Sequence, residues 1–353
     1  MLSIPEAKLR NVVTQILKHA GSEQEEAETV TDHLVRANLT GHDSHGVGLL
    51  PQYLSHIENG QLFPNRKVEL VKNDGSIMMF DGHKGYGQAQ AKDAMEQALA
   101  RCKETGLVLM TLRNSHHIGR IGTYGEQSIK AKKVSLHFVN VTNHGPTVAP
   151  YGGTKARFVT NPVCIAMPGT SNTEPILLDM ATSKIALGKA RVAMNKGVEV
   201  PDNSVIDAEG IATNDPNVLF QEPRGAMLPM GDYKGSGLAL FCELLGGALS
   251  GGGTVQPKNP REGGIVNNMF ALIVDPKRLV DESYLASEID EMVSYLKGTP
   301  AQSETGPVKI AGEPERENMQ ERQANGLPIA EAAWKGIADA AVKIGLSEEL
   351  FHL

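Results

Sequence analysis

The sequence predicts an α/β protein of the α+β type, in which helices from both chain ends flank a central region of strands and helices. Three observations support this fold class. Apolar residues recur at helical spacing over the first 60 residues, short apolar runs alternate with helical segments from about residue 67, and helical spacing returns near the C-terminus. The predicted division is a helical region at 1–66, an α/β region at 67–310 and a helical segment at 311–353, which packs with the N-terminal helices.

The N-terminal region contains three predicted helices. Residues 5–19 carry apolar side chains on one helical face. Ser22 and Glu25 have the spacing of a capping box and predict the start of the second helix. That helix is expected to end near Gly41. Proline is favoured at the first helical position, so a third helix is predicted to begin at Pro51.

The central region is predicted to alternate between strands and helices, with a hairpin turn at Asn73-Asp74-Gly75. Strands are predicted at 68–71, 76–80, 107–112, 134–141, 163–167, 176–180 and 269–274. Helices are predicted at 89–102, 123–130, 184–192, 235–249, 283–296 and, near the C-terminus, 329–344.

Composition argues against several classes of protein. The 353 residues are 41% hydrophobic and 21% charged, as in an ordinary globular enzyme of about two domains. A net charge of −7 without a basic run argues against a nucleic-acid partner. No apolar stretch is long enough to span a membrane, and no signal-peptide pattern is seen. The three cysteines form no CxxC pair, so we expect a reducing compartment, the cytoplasm.

Two loops carry histidines beside glycine and hydroxyl groups. The first is Gly41-His42-Asp43-Ser44-His45-Gly46-Val47, and the second is Asn114-Ser115-His116-His117-Ile118-Gly119-Arg120. Histidine titrates near neutrality, so it can both donate and accept a proton at working pH. Catalytic groups often lie on loops held by rigid elements. The loops therefore predict an enzyme that moves a proton.

The sequence contains no Rossmann dinucleotide fingerprint. Gly85-Tyr86-Gly87 follows a predicted strand, but Gln90 replaces the last glycine of the pattern, and the segment is expected beside a hairpin rather than in a parallel βαβ unit. A plain strand-to-helix turn is favoured. Residues 179–183 end a strand before a predicted helix, where backbone N–H groups could bind an anion or where Thr182 or Ser183 merely caps the helix.

The chain resembles the type-2 malate/L-lactate dehydrogenase family, the non-Rossmann NAD(P)-dependent oxidoreductases, and within it most closely the hydroxycarboxylate dehydrogenase B branch. The resemblance spreads over nearly the whole chain. It rests on GHDSHGVGLLPQYL at 41–54, NSHHIGRIG at 114–122, APYGGTKARFVTNP at 149–162, LLDMATSKIALGKARVAMNKG at 177–197, GDYKGSGLALFCELLGGALSGG at 231–252 and AGEPE at 311–315.

The resemblance implies a mixed, largely antiparallel sheet domain that binds NAD or NADP, with NAD favoured slightly, and a homodimer. It assigns cofactor and substrate binding to the α/β region at 67–310. It implies His45 and His117 as catalytic residues. We add Ser44 as a third catalytic residue, and we expect Ser44, His117 and Arg120 to bind substrate. The cofactor-binding residues that it implies are His45, Gly119, Arg120, Ile121, Asp179, Met180, Ala181, Thr182, Ser183, Lys234, Gly235, Asn267, Gly312 and Glu313.

The residue types suit interconversion of a 2-hydroxy acid and a 2-oxo acid, which moves a hydride at C2 and a proton at oxygen. We expect His45 and His117 to converge on that oxygen, Ser44 to orient a ring or bind substrate, and Asp43 to stabilise an imidazolium. His42 and His116 are expected to be structural. Many relatives carry an arginine where this chain has Leu49, which predicts a pocket more tolerant of apolar acids and puts a strict malate substrate in doubt.

Three alternative functions are also compatible with the sequence. One is an NAD(P)H-dependent reductase of a cyclic imine carboxylate, because C=N and C=O need similar hydride and proton geometry. Another is a metal-dependent lyase or hydrolase built from His33, His42, His45 and the His116-His117 pair, although no metal motif is present and none is expected. The last is a ligand-binding protein without catalysis.

Overall fold

A seven-stranded sheet lies at the centre of the computed structural model, which describes residues 1–259, 261–302 and 306–352. The strands of the described residues are β1 (Leu2–Ile4), β2 (Glu69–Asp74), β3 (Ile77–Asp81), β4 (Leu107–His116), β5 (Val134–Thr142), β6 (Val163–Met167), β7 (Ile176–Met180), β8 (Val205–Ile206), β9 (Ala212–Thr213), β10 (Ala226–Met227), β11 (Val266–Val274) and β12 (Leu327–Ile329). The α-helices are α1 (Glu6–His19), α2 (Gln24–Leu39), α3 (Leu50–Glu58), α4 (Gly87–Thr105), α5 (Gly122–Lys130), α6 (Leu187–Lys196), α7 (Tyr233–Phe241), α8 (Glu282–Lys297), α9 (Glu313–Asn325) and α10 (Glu331–Lys343).

The central sheet has the strand order β2-β3-β4-β11-β5-β6-β7. Within the described sheet, only β3 and β4 are parallel neighbours, and the other adjacent pairs are antiparallel. β11 pairs along its length with β4 and with β5, and most of its side chains are buried. The expectation of a mixed, largely antiparallel sheet is therefore confirmed.

The two chain ends share one apolar core. Leu9 and Ile16 of α1 belong to the same buried cluster as Leu34 of α2 and as Trp334 and Ile337 of α10. β1 pairs antiparallel with β12, which fastens the first residues of the chain to the segment before α10. The terminal helices therefore form a unit against which the first histidine loop can be held, while the proposed boundaries at residues 66 and 310 stay predictions.

The glycine segment before α4 lies in a setting that the sequence interpretation missed. The chain passes from β3 through α4 to the parallel strand β4, so this is a βαβ crossover and not only the flank of a hairpin. A Cβ atom on Gly87 would lie 2.1 Å from the carbonyl oxygen of His116 and 2.6 Å from that of His117. Glycine here allows the helix to pack directly against the backbone of the second histidine loop.

Two predicted helix starts are wrong. Ser22 does not cap α2, because its hydroxyl donates to the Glu26 carboxylate at 2.7 Å and the N-cap position falls on Glu23. The helix predicted from residue 184 begins only at Leu187, because the Lys184 N–H donates to the Leu228 carbonyl and keeps this segment extended. In addition, the helix predicted over 235–249 becomes π-helical after Phe241.

An apolar surface, the α7 surface, covers α7 and the π-helical segment that follows it. Its side chains are between 45% and 65% exposed, and they are Tyr233, Leu240, Phe241, Leu244 and Leu249. Despite these apolar residues, no helix within the described ranges combines the length and the hydropathy that a membrane crossing requires.

Candidate active site

The first histidine loop is held by a buried asparagine. The loop leaves α2 and forms two short 3-10 turns, and Asn38 in the last turn of α2 contacts both of them. Its Oδ1 accepts from the Val47 N–H at 2.9 Å and its Nδ2 donates to Asp43 at 2.7 Å. A Cβ on Gly46 would lie 2.1 Å from Asn38 Oδ1, so only glycine lets the loop close around this side chain.

Asp43 does not contact the histidines, and the expectation that it stabilises an imidazolium is wrong. Arg322 of α9 binds both of its carboxylate oxygens, at 2.7 and 3.1 Å. A bidentate guanidinium pair of this kind fixes geometry as well as charge. Asp43 therefore ties the first histidine loop to α9.

His45 and His117 come together, as expected. Their ring centroids are 5.6 Å apart and the ring planes differ by 21°. Ser44 contacts one ring of this pair, because its hydroxyl lies 2.9 Å from Nδ1 of His45. A Cβ on Gly188 of α6 would lie 2.6 Å from the Ser44 Cβ, so α6 packs closely on this side of the loop. The three predicted catalytic residues thus form one cluster on two loops.

Two residues that the sequence analysis missed hold His117 from behind. The Tyr53 hydroxyl lies 2.6 Å from His117 Nδ1, and the Gln88 side-chain amide donates to the same hydroxyl at 2.8 Å. Tyr53 is in α3 and Gln88 is in the first turn of α4, and both are fully buried. Tyr53 lies inside one of the stretches that carry the family resemblance, which was the available signal. No local pattern points to Gln88.

The electrostatic setting keeps the histidines neutral. Burial lowers the pKa of His45 to about 4, although the nearby Asp179 carboxylate acts in the opposite direction. Burial also lowers the pKa of His117 well below its usual value, and the neighbouring ring of His45 lowers it further. At neutral pH the pair is therefore uncharged. Of the two rings, His45 is the more easily protonated, because the Asp179 carboxylate stabilises a positive charge there.

Arg120 is buried and compensated by carboxylates of the protein. Its Nη1 donates to Glu126 at 2.8 Å, and its Nε lies 3.4 Å from Asp179 Oδ2. The same Asp179 oxygen accepts from the Gly122 N–H at 2.8 Å, at the start of α5. Nη2 of Arg120 has no hydrogen-bond partner among the residues that the structure describes. The predicted contact of Arg120 with substrate or cofactor stays a prediction.

His42, His116 and His33 have supporting contacts. His42 Nε2 lies 3.3 Å from a Glu315 carboxylate oxygen, and the buried His116 shares a 2.8 Å hydrogen bond with His56. His33 packs against Gly119, where a Cβ would lie 2.4 Å from its Nε2. No three His, Cys, Asp or Glu side chains in the described ranges are grouped as metal ligands. The metal-dependent alternative therefore rests on sequence spacing alone.

The stretches that the resemblance assigned to the cofactor lie around the loop at 179–183. Gly122 donates to Asp179, Met230 N–H donates to the Thr182 carbonyl, and Leu177 N–H donates to the Ala311 carbonyl. These bonds hold the loops at 119–121, 234–235 and 312–313 beside the loop at 179–183. Asn267 of β11 joins it, because its Oδ1 accepts from the Ile118 N–H at 2.9 Å.

Thr182 and Ser183 do not cap a helix, which corrects one of the two readings of this loop. The Thr182 hydroxyl donates to the Thr160 carbonyl at 3.0 Å, and the Ser183 hydroxyl donates to the Ile185 carbonyl at 2.7 Å. Because α6 begins only at Leu187, the loop has no helix N-terminus to offer an anion. The ammonium of Lys234, in the first turn of α7, has no hydrogen bond or ion pair with the residues that the structure describes and lies 6.0 Å from the centre of the Tyr233 ring, so it is a cation available to a ligand.

Open space borders part of this cluster. A cavity of about 950 Å³ is lined by His33, Gln88 and Gly312, among other residues. A second, of about 170 Å³, is lined by Asp179, Gly312 and Glu315, among others. Gly312 has φ of +95°, a conformation that favours glycine, and it borders both cavities. Two of the predicted cofactor residues, Asp179 and Gly312, thus border space that a ligand can enter.

Comparison with known proteins places this chain among the dehydrogenases. The model of the malate/L-lactate dehydrogenase family matches residues 4–338. Hydroxycarboxylate dehydrogenase B of Escherichia coli (strain K12) is 40% identical over 343 residues, 97% of this chain and 94% of that protein. L-lactate dehydrogenase of Cupriavidus necator is 40% identical over 321 residues, 91% of this chain and 92% of that protein. This chain belongs to the malate/L-lactate dehydrogenase family.

Solved structures agree with this assignment. An Escherichia coli protein assigned as a malate/lactate dehydrogenase superposes with a TM-score of 0.95 at 38% identity, covering 99% of this chain and 98% of that one. A delta1-piperideine-2-carboxylate reductase from Pseudomonas syringae, at 24% identity and a TM-score of 0.83, covers 96% of this chain and 100% of that one. At this identity the reductase shares the fold alone. The family's members are NAD(P)-dependent oxidoreductases, and so is this chain.

Proposed function

We propose that this protein interconverts 2-hydroxycarboxylates and 2-oxocarboxylates with NAD(P) as the hydride carrier and with His45 and His117 at the reacting oxygen. The observation that carries the proposal is the 5.6 Å pairing of the two rings, each with its Nδ1 in a hydrogen bond, on residues of intermediate burial. That arrangement leaves both Nε2 atoms for a ligand. An acid or base positioned in this way contributes about 10²–10⁴-fold to a rate.

The residues around the 179–183 loop fit a dinucleotide in their chemistry. Gly312 has positive φ and borders both cavities, and Lys234 offers an ammonium for a diphosphate. Gly119 also has positive φ, but its open side is occupied by His33. When bound, the nicotinamide supplies or accepts the hydride at C2 of the substrate. The residues of this chain bind the substrate acid in one orientation and hold or release a proton at Nε2 of the two histidines.

We infer a preference for NAD over NADP. Glu313 comes directly after Gly312 and Glu315 two residues later, and with the adenosine ribose beside Gly312 their carboxylates would repel an additional phosphate on it. Leu49 carries no charge that could bind a second carboxylate of the substrate. The proposed substrates therefore include bulkier apolar 2-hydroxy acids besides lactate and malate. Leu49 is partly buried and packs against the apolar core of the terminal helices. Turnover of apolar and charged 2-oxo acids measures its effect on substrate choice.

A homodimer in the cytoplasm completes the proposal. The α7 surface exposes Phe241 and Leu249 at 55% each, and a contiguous apolar surface of this kind is typical of an interface. Size-exclusion chromatography with light scattering is expected to give twice the chain mass of 37.9 kDa. A particle of one chain mass at micromolar concentration would refute the dimer.

The function is tested by following the absorbance of NADH and NADPH separately with a panel of acids. The panel contains oxaloacetate, pyruvate, 2-oxoglutarate, phenylpyruvate and a cyclic imine carboxylate. Oxidation of NADH with a 2-oxo acid is the expected result, and a substrate range that includes phenylpyruvate would support the role of Leu49. Turnover of the imine alone would replace the proposal with the reductase alternative. Absence of binding of either cofactor would overturn it.

A further inference from the structure

The hydrogen bonds around Tyr53 specify which nitrogen of His117 carries the ring proton. Gln88 Nε2 lies 2.8 Å from the phenolic oxygen, which lies 2.6 Å from His117 Nδ1. An amide N–H can only donate, so the Tyr53 oxygen accepts from Gln88 and directs its own hydrogen to Nδ1. Nδ1 is then an acceptor, and the neutral ring carries its proton on Nε2.

We propose that Gln88 and Tyr53 hold His117 as the neutral Nε2–H tautomer, so that His117 donates a hydrogen bond to the substrate oxygen while His45 transfers the proton. This division of roles rests on the proposed function. Tyr53 and Gln88 are positioning residues, because they act through His117. A neutral imidazole that only polarises a carbonyl is an established strategy in other enzymes.

A proton on His117 Nδ1 would break this chain of hydrogen bonds. Tyr53 would have to accept from both Gln88 and His117, and its own O–H would have no acceptor, since no other polar partner of that hydroxyl is present in the described residues. A buried hydroxyl without an acceptor is costly. Burial also raises the pKa of Tyr53, so the phenol keeps its proton.

His45 is placed differently and tolerates both protonation states. The Ser44 hydroxyl at its Nδ1 can donate to a bare nitrogen or accept from an N–H, because a hydroxyl does both. The Asp179 carboxylate favours the charged ring, while His42 and Arg120 oppose it. The titratable groups that face His117 are the Tyr53 phenol and four histidines. Each of these histidines disfavours a charge on His117, namely His45, His116, His33 and His56.

The reductive step balances with these roles. With the reduced nicotinamide bound, its hydride would form the new C2–H bond, and the π electrons of the carbonyl would become a lone pair on oxygen. His45, neutral at rest, takes up a proton from solvent and passes it to that oxygen, which returns the ring to its neutral state. His117 Nε2–H donates a hydrogen bond to the same oxygen throughout and keeps its proton. In the oxidative direction neutral His45 accepts the hydroxyl proton.

Nitrogen NMR of histidine-labelled protein tests the tautomer without substrate. The His117 signals are assigned by their loss in His117→Gln. We expect Nε2–H in the wild type, and we expect a shift of at least several-fold in tautomer population towards Nδ1–H in Tyr53→Phe. Tyr86→Phe is the matched control, because Tyr86 is also buried and its ring lies 6.0 Å from that of Tyr53 without contacting His117 through its hydroxyl. If Tyr53→Phe does not fold, Gln88→Leu replaces it and is expected to give mixed tautomers.

A wild-type ring protonated on Nδ1, or a tautomer population that neither Tyr53→Phe nor Gln88→Leu changes, would overturn the proposal. Kinetics test the division of roles. Glutamine can replace the Nε2–H donor but cannot transfer a proton, so kcat of His117→Gln should exceed that of His117→Leu by about 10-fold or more, whereas His45→Gln and His45→Leu should be equally poor. Rescue by glutamine at His45 and not at His117 would refute the assignment. Because the NMR result needs no turnover, loss of the proposed function and loss of this inference are separable.

Discussion

The close packing of Gly87 against the second histidine loop predicts a large effect from one methyl group. In Gly87→Ala the new Cβ would lie 2.1 Å from the His116 carbonyl oxygen, and an ordinary contact begins at about 3.4 Å, so the loop must retreat by about 1.3 Å. Overpacking of this kind costs about 1–3 kcal/mol in the free energy of unfolding. A displacement of about 1 Å at a reacting group costs about 100-fold in rate.

The assay is urea unfolding together with kcat/KM for the 2-oxo acid identified in the substrate panel. Gly336→Ala in α10 is the matched control, because nothing lies within 4 Å of a Cβ there. That change is expected to stabilise the protein by about 0.5–1 kcal/mol with unchanged kcat/KM, since alanine is a better helix former. A Gly87→Ala protein with wild-type stability and wild-type kcat/KM would refute the packing argument.

The remaining predictions concern the histidines and the free lysine. His45→Ala and His117→Ala should each lower kcat/KM by about 10²–10⁴-fold, and the double variant should cost much less than the product of the two losses, as a double-mutant cycle would show. Burial lowers the pKa of both His33 and His116 to about 3, so between pH 6.5 and that value the unfolded chain binds protons that the folded chain does not. The free energy of unfolding should therefore decrease as the pH is lowered below 6.5, by up to about 1.4 kcal/mol per pH unit for each ring. In His116→Gln the urea concentration at the midpoint of unfolding should decrease less steeply over the same pH range. Lys234→Met should raise the dissociation constant of NADH about 10-fold, with equal titrations of the two proteins contradicting a phosphate contact.

The sheet was largely predictable because buried strands leave continuous apolar runs in the sequence. The strand predicted at 269–274 is shorter than β11 (Val266–Val274), because the prediction depended on such an apolar run. The first residues of β11 include Asn267 and Asn268, whose polar side chains interrupt the apolar run. In the folded chain these asparagines are buried and satisfied, since Asn267 accepts from Ile118 N–H and Asn268 donates to Asn140. Only the tertiary contacts make asparagine suitable there.

The site was predictable in its two loops and not in the residues that support them. Local sequence shows His45 and His117, but nothing local shows that Asp179 lies near His45 while Asp43 binds an arginine far along the chain. Tyr53 and His117 are 64 positions apart and meet only because α3 packs near the end of β4. Contacts between distant segments therefore decide the protonation chemistry, and they require the fold.

A crystal structure of the protein with NADH and oxamate, an unreactive analogue of a 2-oxo acid, tests the central claim most directly. The account predicts the oxamate carbonyl oxygen within about 3.2 Å of Nε2 on both His45 and His117, and the nicotinamide against its C2 carbon. An oxamate bound with that oxygen directed away from both rings would contradict the assignment of the histidine pair to proton chemistry.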